Sequence, residues 1–295
     1  MNNAIECNNL THYYGSKRIV ENLNFQVKEG TILGLLGKNG TGKTTVFNIL
    51  NGFLRPTDGK CLIFGEDTQC LSPATKSRIG FLIEGHVQYS FMNVKQIEKF
   101  YSGFYPKWKP GSFWEIVKKL DVSKNQKIST MSWGQRSQVA LGIILAQDPD
   151  LLILDDFSMG LDPGYRRLFV DHLREYAKSE NKTIFTTSHI IQDMERLIDD
   201  VLIIDFNKVM VQSSVSDFLS NFKRFDFELE NDDVELDNET LIVNIEKVRN
   251  KVELYTYSSE RDIRNYLAER SVTPINFSQV TMNLEDAFIG LTRKY

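Results

Sequence analysis

The sequence predicts an α/β fold whose core is a buried, mostly parallel sheet. Strand-like apolar stretches alternate along the chain with helical stretches, which is the pattern of strands joined by helical crossovers. Near the start, the apolar stretch 31–36 runs into a glycine-rich segment and then into a helix-forming segment. In such a sheet the carboxyl ends of the strands carry the ligand site. We therefore expect the functional residues to follow strands.

The first part of the chain, residues 4–215, is expected to form one domain with an antiparallel β edge beside the parallel core. Its expected strands cover 4–10, 19–27, 31–36, 61–64, 79–83, 151–155, 183–187, 201–205 and 209–212, and its helices cover 139–146, 164–178 and 190–197. The block from about 84 to 138 differs in character, because 94–105 and 112–120 have the spacing of amphipathic helices. We interpret this block as a helical subdomain.

A small α+β domain is expected at residues 225–295. Residues 227–230, 241–245 and 251–257 alternate like strands, and 261–270 has a helical pattern. The acidic run 228–237 reads as a solvated hairpin, and we assign no site to it.

The glycine-rich segment is a phosphate-binding loop of spacing G-x-x-x-x-G-K-[ST], present as Gly37-Lys38-Asn39-Gly40-Thr41-Gly42-Lys43-Thr44-Thr45. Its glycines let backbone N–H groups turn towards phosphates, and the following helix points its positive end at them. Lys43 is expected to reach the β- and γ-phosphates, and Thr44 to place its hydroxyl on Mg²⁺. The sequence therefore predicts a P-loop NTPase, although this loop alone does not identify the nucleotide.

Four further segments accompany this loop in a fixed order. They are Met131-Ser132-Trp133-Gly134-Gln135 before a helix, a buried strand ending in Asp155-Asp156, Gly160-Leu161-Asp162-Pro163, and Thr187-Ser188-His189 after another strand. With the loop, they resemble the signature, Walker B, D-loop, switch-histidine and Walker A motifs of ATP-binding-cassette (ABC) nucleotide-binding domains. The resemblance covers about residues 4–215. It implies an ABC-type ATPase with a RecA-like parallel sheet core, which binds ATP and Mg²⁺.

The resemblance also implies a role for each site residue. For ATP binding it implies Tyr14, Gly37, Lys38, Asn39, Gly40, Thr41, Gly42, Lys43, Thr44, Thr45, Ser132, Gly134, Gln135 and Asp162. For Mg²⁺ it implies Thr44, Asp155 and Glu84, and for catalysis Asp156, His189 and Glu84. Tyr14 would stack on adenine, with Tyr13 as its possible substitute and hairpin packing as the alternative. Ser132 and Gly134 would contact the γ-phosphate of ATP held by a second copy of the domain.

The sequence departs from the family pattern at three places, one of which includes two adjacent residues. Asp156 stands where the family has Glu, and Phe157 follows it in place of proline. A general base must come within about 2.6–3.2 Å of the attacking water, so the shorter carboxylate predicts slow hydrolysis or a rearranged loop. The competing interpretation is that Asp156 only supports Asp155. Glu84 stands where the family usually has Gln, and the alternative interpretation is that Glu84 is only the first solvated residue of a loop. Trp133 replaces a residue of the signature that is usually small.

Composition excludes several other classes of protein. The net charge is −4, so no nucleic-acid partner is expected. Cys7, Cys61 and Cys70 show no metal or disulfide spacing, and we expect them to be unpaired, as in a reducing cytoplasm. No run approaches the roughly 18 apolar residues that a membrane helix needs, and no secretion signal is visible.

We therefore predict the ATP-hydrolysing subunit of an ABC transporter at the cytoplasmic face of a membrane. Residues 284–292 resemble the closing helix of the C-terminal extension in ABC-2-type exporter ATPases. A Leu-Glu-Asp-x-Phe ending recurs there, present here as Leu284-Glu285-Asp286-Ala287-Phe288, and it favours export. The resemblance implies two partners, a second nucleotide-binding subunit and an integral membrane permease. Residues 100–108 are rich in aromatics, which we interpret as helix core, or as docking anchors where exposed. The alternatives are a soluble ABC ATPase acting on ribosomes or DNA, and a weakly hydrolysing regulatory nucleotide binder.

Overall fold

The computed structural model describes residues 2–82, 89–120, 122–158, 161–205, 208–230 and 241–293. The chain divides into two compact units, residues 1–212 and 213–295. Within the described ranges, no helix has the length and apolar character that crossing a membrane requires.

Two sheets form the framework of the first unit. Their strands are β1 (Asn3–Tyr14), β2 (Lys17–Lys28), β3 (Ile32–Gly37), β4 (Asp58–Ile63), β5 (Glu66–Asp67), β6 (Ile79–Leu82), β7 (Leu151–Leu154), β8 (Thr183–Thr186), β9 (Asp200–Asp205) and β10 (Lys208–Ser214). An antiparallel sheet has the order β2-β1-β4-β5. The larger sheet has the order β10-β9-β3-β8-β7-β6, and β9, β3, β8, β7 and β6 pair in parallel. This arrangement places the carboxyl ends of β3, β7 and β8 at one edge.

Helices cover the sheets and build the helical subdomain. They are α1 (Lys43–Leu50), α2 (Pro73–Lys76), α3 (Val94–Ser102), α4 (Pro110–Lys119), α5 (Trp133–Ala146), α6 (Pro163–Ser179) and α7 (Ile191–Leu197). The starts of α3 and α5 are fixed by capping boxes, in which the Asn93 and Ser132 side chains each accept a backbone N–H from the third helical residue. Helix α5 thus begins at Trp133, well before the predicted start at Val139.

Aromatic stacking joins the two sheets of the first unit through one core. The Phe185 ring of β8 lies 5.6 Å from the Phe25 ring of β2 and 4.9 Å from the Phe47 ring of α1, centroid to centroid. All three side chains are almost fully buried. Burial of this much aromatic surface is a major source of stability, and it fixes α1 and the P-loop before it against the sheets.

The helical subdomain has its own apolar core, as the sequence pattern of α3 and α4 predicts. Val94 and Ile97 of α3 and Phe113 of α4 are fully buried and share a cluster with Val139 of α5. A Cβ added to Gly142 of α5 would lie 3.1 Å from the Phe113 ring. The glycine therefore allows α4 and α5 to approach each other closely.

The structure corrects the expectation for two of the three cysteines. Cys7 of β1 and Cys61 of β4 are joined as a disulfide, whereas Cys70 is free and exposed. The antiparallel register of β1 and β4 places Cys7 directly opposite Cys61. The two residues are 54 positions apart in the chain, so only the strand pairing brings them together. Cysteine spacing therefore gives no information here about a reducing compartment.

A charged cluster links the helical subdomain to the sheet core around Asp148. The Asp148 carboxylate lies 2.8 Å from Lys182 Nζ and 3.1 Å from Lys109 Nζ, and it accepts the Tyr176 hydroxyl at 3.3 Å. Burial alone would raise the pKa of Asp148, but the hydrogen bonds from Lys182 and Lys109 lower it below the ordinary value. The cluster therefore stabilises the fold through the ionised carboxylate.

Replacing Asp148 with asparagine should lower the free energy of unfolding by about 1–3 kcal/mol near neutral pH, because two lysines lose their counter-charge. The lowered pKa sets the pH dependence: the stabilisation is complete above the unfolded-state pKa of about 4 and is lost as the pH falls through the folded-state value. The difference between wild type and variant should thus shrink in acid. Chemical unfolding from pH 3 to 7 measures it.

Asp171→Asn is the matched control for that prediction. Asp171 pairs with Arg196 at 2.8 Å, but both side chains are more than 40% exposed. Such a surface pair contributes about 0–1 kcal/mol. An equal loss of stability in the two variants would contradict the role assigned to Asp148.

The second unit is a four-stranded antiparallel sheet packed against helices. Its elements are α8 (Val215–Asn221), β11 (Lys223–Glu228), β12 (Asn244–Val248), β13 (Lys251–Thr256), α9 (Glu260–Glu269), β14 (Ile275–Val280) and α10 (Leu284–Thr292), with strand order β12-β13-β11-β14. Phe225, Leu254 and Ile263 form its core with neighbouring apolar residues. A Cβ on Gly290 would lie 2.2 Å from the Tyr255 ring, so a glycine is required where α10 crosses β13.

The second unit also contains elements that the sequence pattern did not predict. Helix α8 and strand β14 were not expected, and β12 begins at Asn244 instead of 241. Most of β14 is exposed, with only Phe277 and Val280 partly buried, so its apolar alternation is weak. Residues 231–237 of the expected acidic hairpin lie outside the described residues.

Candidate nucleotide-binding site

The P-loop connects the end of β3 at Gly37 to the start of α1 at Lys43. Gly40 and Gly42 have φ angles of +83° and +92°, which residues other than glycine rarely adopt. The Lys43 ammonium folds back over the loop and donates to the carbonyl oxygens of Gly37, at 2.5 Å, and Lys38, at 3.0 Å. The loop is thus held in a turn by its own lysine.

Burial lowers the pKa of Lys43, whereas the nearby carboxylates of Asp155 and Asp156 raise it. The net shift of the pKa is downward, because the loss of solvation disfavours the charged lysine more than the two carboxylates favour it. A polyanion that enters the loop would favour the charged lysine in the same way. The lysine is therefore placed for an anionic ligand.

Alanine at Gly42 should weaken ATP binding more than alanine at Gly40. Both substitutions force a left-handed backbone, at a cost of about 1–3 kcal/mol. A Cβ at Gly42 would in addition lie 2.6 Å from Val20 Cγ2, while a Cβ at Gly40 meets nothing within 4 Å. Titration of both variants with ATP tests this, and a larger loss in Gly40→Ala would contradict the geometry of the loop.

The acidic pair Asp155-Asp156 follows β7 directly, at the edge that β3 and β8 also reach. Both residues are 6% exposed. The Asp155 N–H donates to the Leu82 carbonyl of β6 at 2.9 Å, which continues the sheet by one residue. Asp156 then adopts a left-handed backbone with φ +45°. This turn separates the directions of the two carboxylates.

Asp156 is directed towards His189. Its carboxylate accepts the His189 backbone N–H at 3.3 Å, and the second oxygen lies 3.4 Å from the imidazole Nε2. The Ser158 and Ser188 hydroxyls are hydrogen-bonded at 2.6 Å and join the same two loops. The Phe157 ring turns into the core and stacks on Phe169, with 5.5 Å between centroids. The sequence interpretation did not foresee that Asp156 and His189 form a pair.

One cavity of about 240 Å³ collects most of the predicted site residues. It is lined by Tyr14, Lys17, Ile19, Asn39, Gly40, Gly42, Lys43, Thr44, Thr45, Asp155, Asp156, Thr187, Ser188 and His189. Lys17 and Ile19 of β2, with Thr187 and Ser188 after β8, were not assigned to the site from the sequence. The hairpin register could have indicated Lys17, since it pairs with Tyr14 across the β1–β2 turn.

Within the described ranges, the other predicted site residues do not line this cavity, although Gly37, Lys38 and Thr41 belong to the P-loop. The Gly37 and Lys38 carbonyls hold Lys43, and Thr41 donates its hydroxyl to the Lys38 carbonyl at 2.8 Å. The remaining predicted residues, Ser132, Gly134, Gln135 and Asp162, do not line the cavity. Glu84 lies outside the described residues.

The segments that do not line the cavity occupy helix starts. Ser132 accepts the Gln135 backbone N–H at 3.2 Å and Gln135 Oε1 accepts the Ser132 N–H at 3.0 Å, a closed capping box at the start of α5. A Cβ on Gly134 would lie 2.9 Å from the Tyr165 ring of α6. Asp162 caps α6 by accepting the N–H groups of Gly164 and Tyr165. These contacts give the signature segment a fixed shape.

The donor set at the cavity is compatible with Mg²⁺. The Thr44 hydroxyl and the Asp155 carboxylate line the same space, and Mg²⁺ prefers such oxygen ligands, usually with one or two from protein and the rest from phosphate and water. In the described part of the chain, no group of three or more His, Cys, Asp or Glu side chains could hold a metal ion alone. The residues therefore fit a metal that arrives with a phosphate ligand.

Comparison with known proteins decides the family. Residues 20–158 match the family model of the ABC transporter. The bacitracin transport ATP-binding protein BcrA of Bacillus licheniformis is 31% identical over 304 residues, which cover 99% of this chain and 98% of that protein. The chain belongs to the ABC transporter ATP-binding proteins. As a member of this family it is an ABC-type ATPase.

Further relatives of this ABC ATPase agree in length and fold. The Nod factor export ATP-binding protein I of Cupriavidus metallidurans is 27% identical over 300 residues, covering 99% of this chain and 98% of the relative. A solved ATP-binding cassette, a dimer in a post-hydrolysis state with ADP and Pi, superposes with a TM-score of 0.62 at 21% identity and covers 71% of this chain and 98% of its own. A solved ATP-binding subunit of an ABC transporter superposes with a TM-score of 0.65 at 20% identity. The superposition covers 74% of this chain and 92% of that subunit. These structures confirm the predicted fold class.

Proposed function

We propose that this ABC ATPase powers export through a separate integral membrane subunit. The proposal rests on its full-length similarity to proteins of bacitracin transport and Nod factor export, and on the cavity that joins the P-loop to Asp155, Asp156 and His189. The helix Leu284–Thr292 begins with the Leu-Glu-Asp-x-Phe sequence that resembles the ending of exporter ATPases, and this resemblance supports export.

In the proposed site, ATP lies with its phosphates in the P-loop and its base on Tyr14. The loop presents its N–H groups and the positive end of α1 to the phosphates. Lys43 would leave the carbonyls of Gly37 and Lys38 and pair with the β- and γ-phosphates. Tyr14 is 50% exposed at the mouth of the same cavity, so its ring can receive a purine.

For hydrolysis, we assign the proton transfer to Asp156 and its support to His189. Thr44 and Asp155 would hold Mg²⁺, which when bound neutralises charge on the phosphates. Asp156 would accept a proton from the attacking water. The contacts at 3.3 and 3.4 Å to His189 keep the Asp156 carboxylate at the carboxyl end of β7, at the border of the cavity. Glu84 is proposed as a further ligand or water contact from the family resemblance alone.

A second copy of the chain would complete the site. Ser132, Gly134, Gln135 and Asp162 lie at helix starts away from their own cavity, and in the proposed head-to-tail dimer they would face ATP bound to the partner. Helix starts carry partial positive charge and suit a phosphate. ATP binding would close this dimer and hydrolysis would open it.

We place the membrane subunit on an aromatic cluster of the helical subdomain, formed by Tyr89, Phe91, Phe100 and Phe104. Phe104 is 65% exposed and Phe91 69%. Phe100 contacts both Tyr89 and Phe104 at 5.0 Å between centroids. The other aromatics of this region, Tyr101, Tyr105 and Trp108, are half-buried, as the core interpretation predicts. Exposed apolar clusters of this kind mark protein interfaces, which would hold the chain at the cytoplasmic face of a membrane.

Copurification tests this assignment. Tagged chain isolated from native membranes should carry an integral membrane protein, and Phe104→Asp should remove it. Phe53→Asp is the matched control, because Phe53 is equally exposed, at 69%, outside the helical subdomain. Recovery only in the soluble fraction with ribosomes or nucleic acid would instead support a soluble, non-transport ABC ATPase.

One observation favours a second candidate, a regulatory nucleotide binder with very slow hydrolysis. Both oxygens of Asp156 contact His189, so part of the hydrogen-bonding capacity of this carboxylate is already used within the chain. Steady-state ATP turnover of the purified chain separates the two candidates. Turnover at the rate of uncatalysed hydrolysis, together with tight ATP binding, would favour the regulator.

A further inference from the structure

A buried histidine lies beneath the exposed Tyr14. His12 of β1 is 6% exposed, and neither of its ring nitrogens has a hydrogen-bond partner among the described residues. Burying an imidazole in this way costs free energy, whereas an apolar side chain of similar shape would not. The stability of the β1–β2 pair therefore does not explain a histidine at this position.

The His12 ring meets the Tyr14 ring edge to face. The two centroids are 4.8 Å apart and the planes are inclined by 80°. Perpendicular ring pairs at this distance attract each other, because the positive edge of one ring meets the negative face of the other. His12 thus supports a tyrosine that is otherwise half exposed.

The strand is irregular on both sides of His12. The β1–β2 register shifts between Leu10 and His12 and again between His12 and Tyr13. Such irregularities redirect side chains, and they occur often beside functional sites. Immediately afterwards, Tyr14 pairs with Lys17, and both residues line the cavity. The distortion is therefore located where it sets the direction of the Tyr14 ring.

We propose that His12 is a positioning residue, which holds the Tyr14 ring in the orientation that receives a purine base. This inference rests on the proposed stacking role of Tyr14. A ring held in its binding orientation loses less rotamer freedom when the base arrives, so the affinity is higher. The effect concerns the base alone, since His12 does not line the cavity and does not contact the P-loop phosphate site.

Two substitutions at His12 separate the ring contact from packing. His12→Leu removes the ring and keeps apolar volume, whereas His12→Phe keeps a ring. Calorimetric titration with Mg-ATP and with Mg-tripolyphosphate, which has no base, gives the affinities. We expect His12→Leu to bind ATP about two- to tenfold more weakly and tripolyphosphate as wild type does. His12→Phe should bind both as wild type does. Thermal unfolding confirms that each variant folds, and His12→Met replaces the leucine variant if that one does not.

A double-mutant cycle with Tyr14→Ala completes the test. Tyr14→Ala should weaken ATP binding, and adding His12→Leu should cause no further loss, because the contact is already absent. The inference is overturned if His12→Leu binds ATP normally, if it weakens both ligands equally, or if its effect adds fully to that of Tyr14→Ala. Normal ATP binding by Tyr14→Ala would overturn both the stacking role and the role of His12. Phosphate binding by the P-loop would still stand.

Discussion

Asp156→Asn should reduce ATP turnover by at least about 100-fold, the usual contribution of a general base. ATP binding should persist, because Lys43, Thr44 and Asp155 are unchanged. Asparagine can still accept the His189 N–H, and it tolerates the left-handed backbone, at φ +45°, of this position. The ATP-bound dimer should then accumulate, since hydrolysis no longer opens it.

Asp156→Glu is the informative partner of that variant. It restores the longer reach that the family uses, and the Phe157 ring, stacked on Phe169, does not line the cavity and so does not compete with the added methylene for that space. We expect turnover to be kept or raised. Steady-state ATPase rates and size exclusion with ATP measure both variants. Unchanged turnover in Asp156→Asn would show that Asp156 supports Asp155 and is not the base.

Lys43→Ala should lower ATP affinity by about ten- to hundredfold, because it deletes charge-assisted hydrogen bonds to the phosphates. The substitution also removes the two contacts from the lysine to the Gly37 and Lys38 carbonyls of the loop. Circular dichroism should show an intact fold, since α1 is fixed by Phe47 in the core.

Lys17→Ala is the matched control for Lys43. Lys17 also lines the cavity, but it lies on the exposed β1–β2 hairpin. Within the described part of the chain, its ammonium makes no hydrogen bond to the P-loop carbonyls. Its removal should change ATP affinity by less than about threefold, as is usual for an exposed charge. Equal losses in the two variants would contradict the assignment of Lys43 to the phosphates.

Those parts of the proposed site that are contiguous in the chain can be located from the sequence. A P-loop is contiguous in the chain, and Asp155 directly follows the apolar run of β7, so pattern and position suffice. The capping box of Ser132 and Gln135 was also readable, yet the predicted start of α5 followed the apolar run from Val139 instead. The family motif and the helix cap use the same two residues, Ser132 and Gln135.

Contacts between distant segments were not predictable in the same way. Cys7 and Cys61 meet only through the register of β1 and β4. The Asp156–His189 pair joins loops after β7 and β8, and its geometry depends on one left-handed residue. Predicting either would require the strand order and the backbone angles, which apolar periodicity does not provide. The contact of His12 with the Tyr14 ring and the pairing of Lys17 with Tyr14 depend in the same way on a distorted hairpin.

The cap of α5 restricts which residues can replace Ser132. In the cap its oxygen accepts the Gln135 N–H, a role that Asp and Asn fill equally well. A hydroxyl also carries a proton that it can donate, whereas a carboxylate that is ionised near neutral pH has no proton to donate to a phosphate. Asp would therefore preserve the helix and repel the anion, and Ala would lose both interactions. Threonine and asparagine each combine a capping oxygen with a hydrogen-bond donor, so these two substitutions are compatible with both the helix and the anion contact.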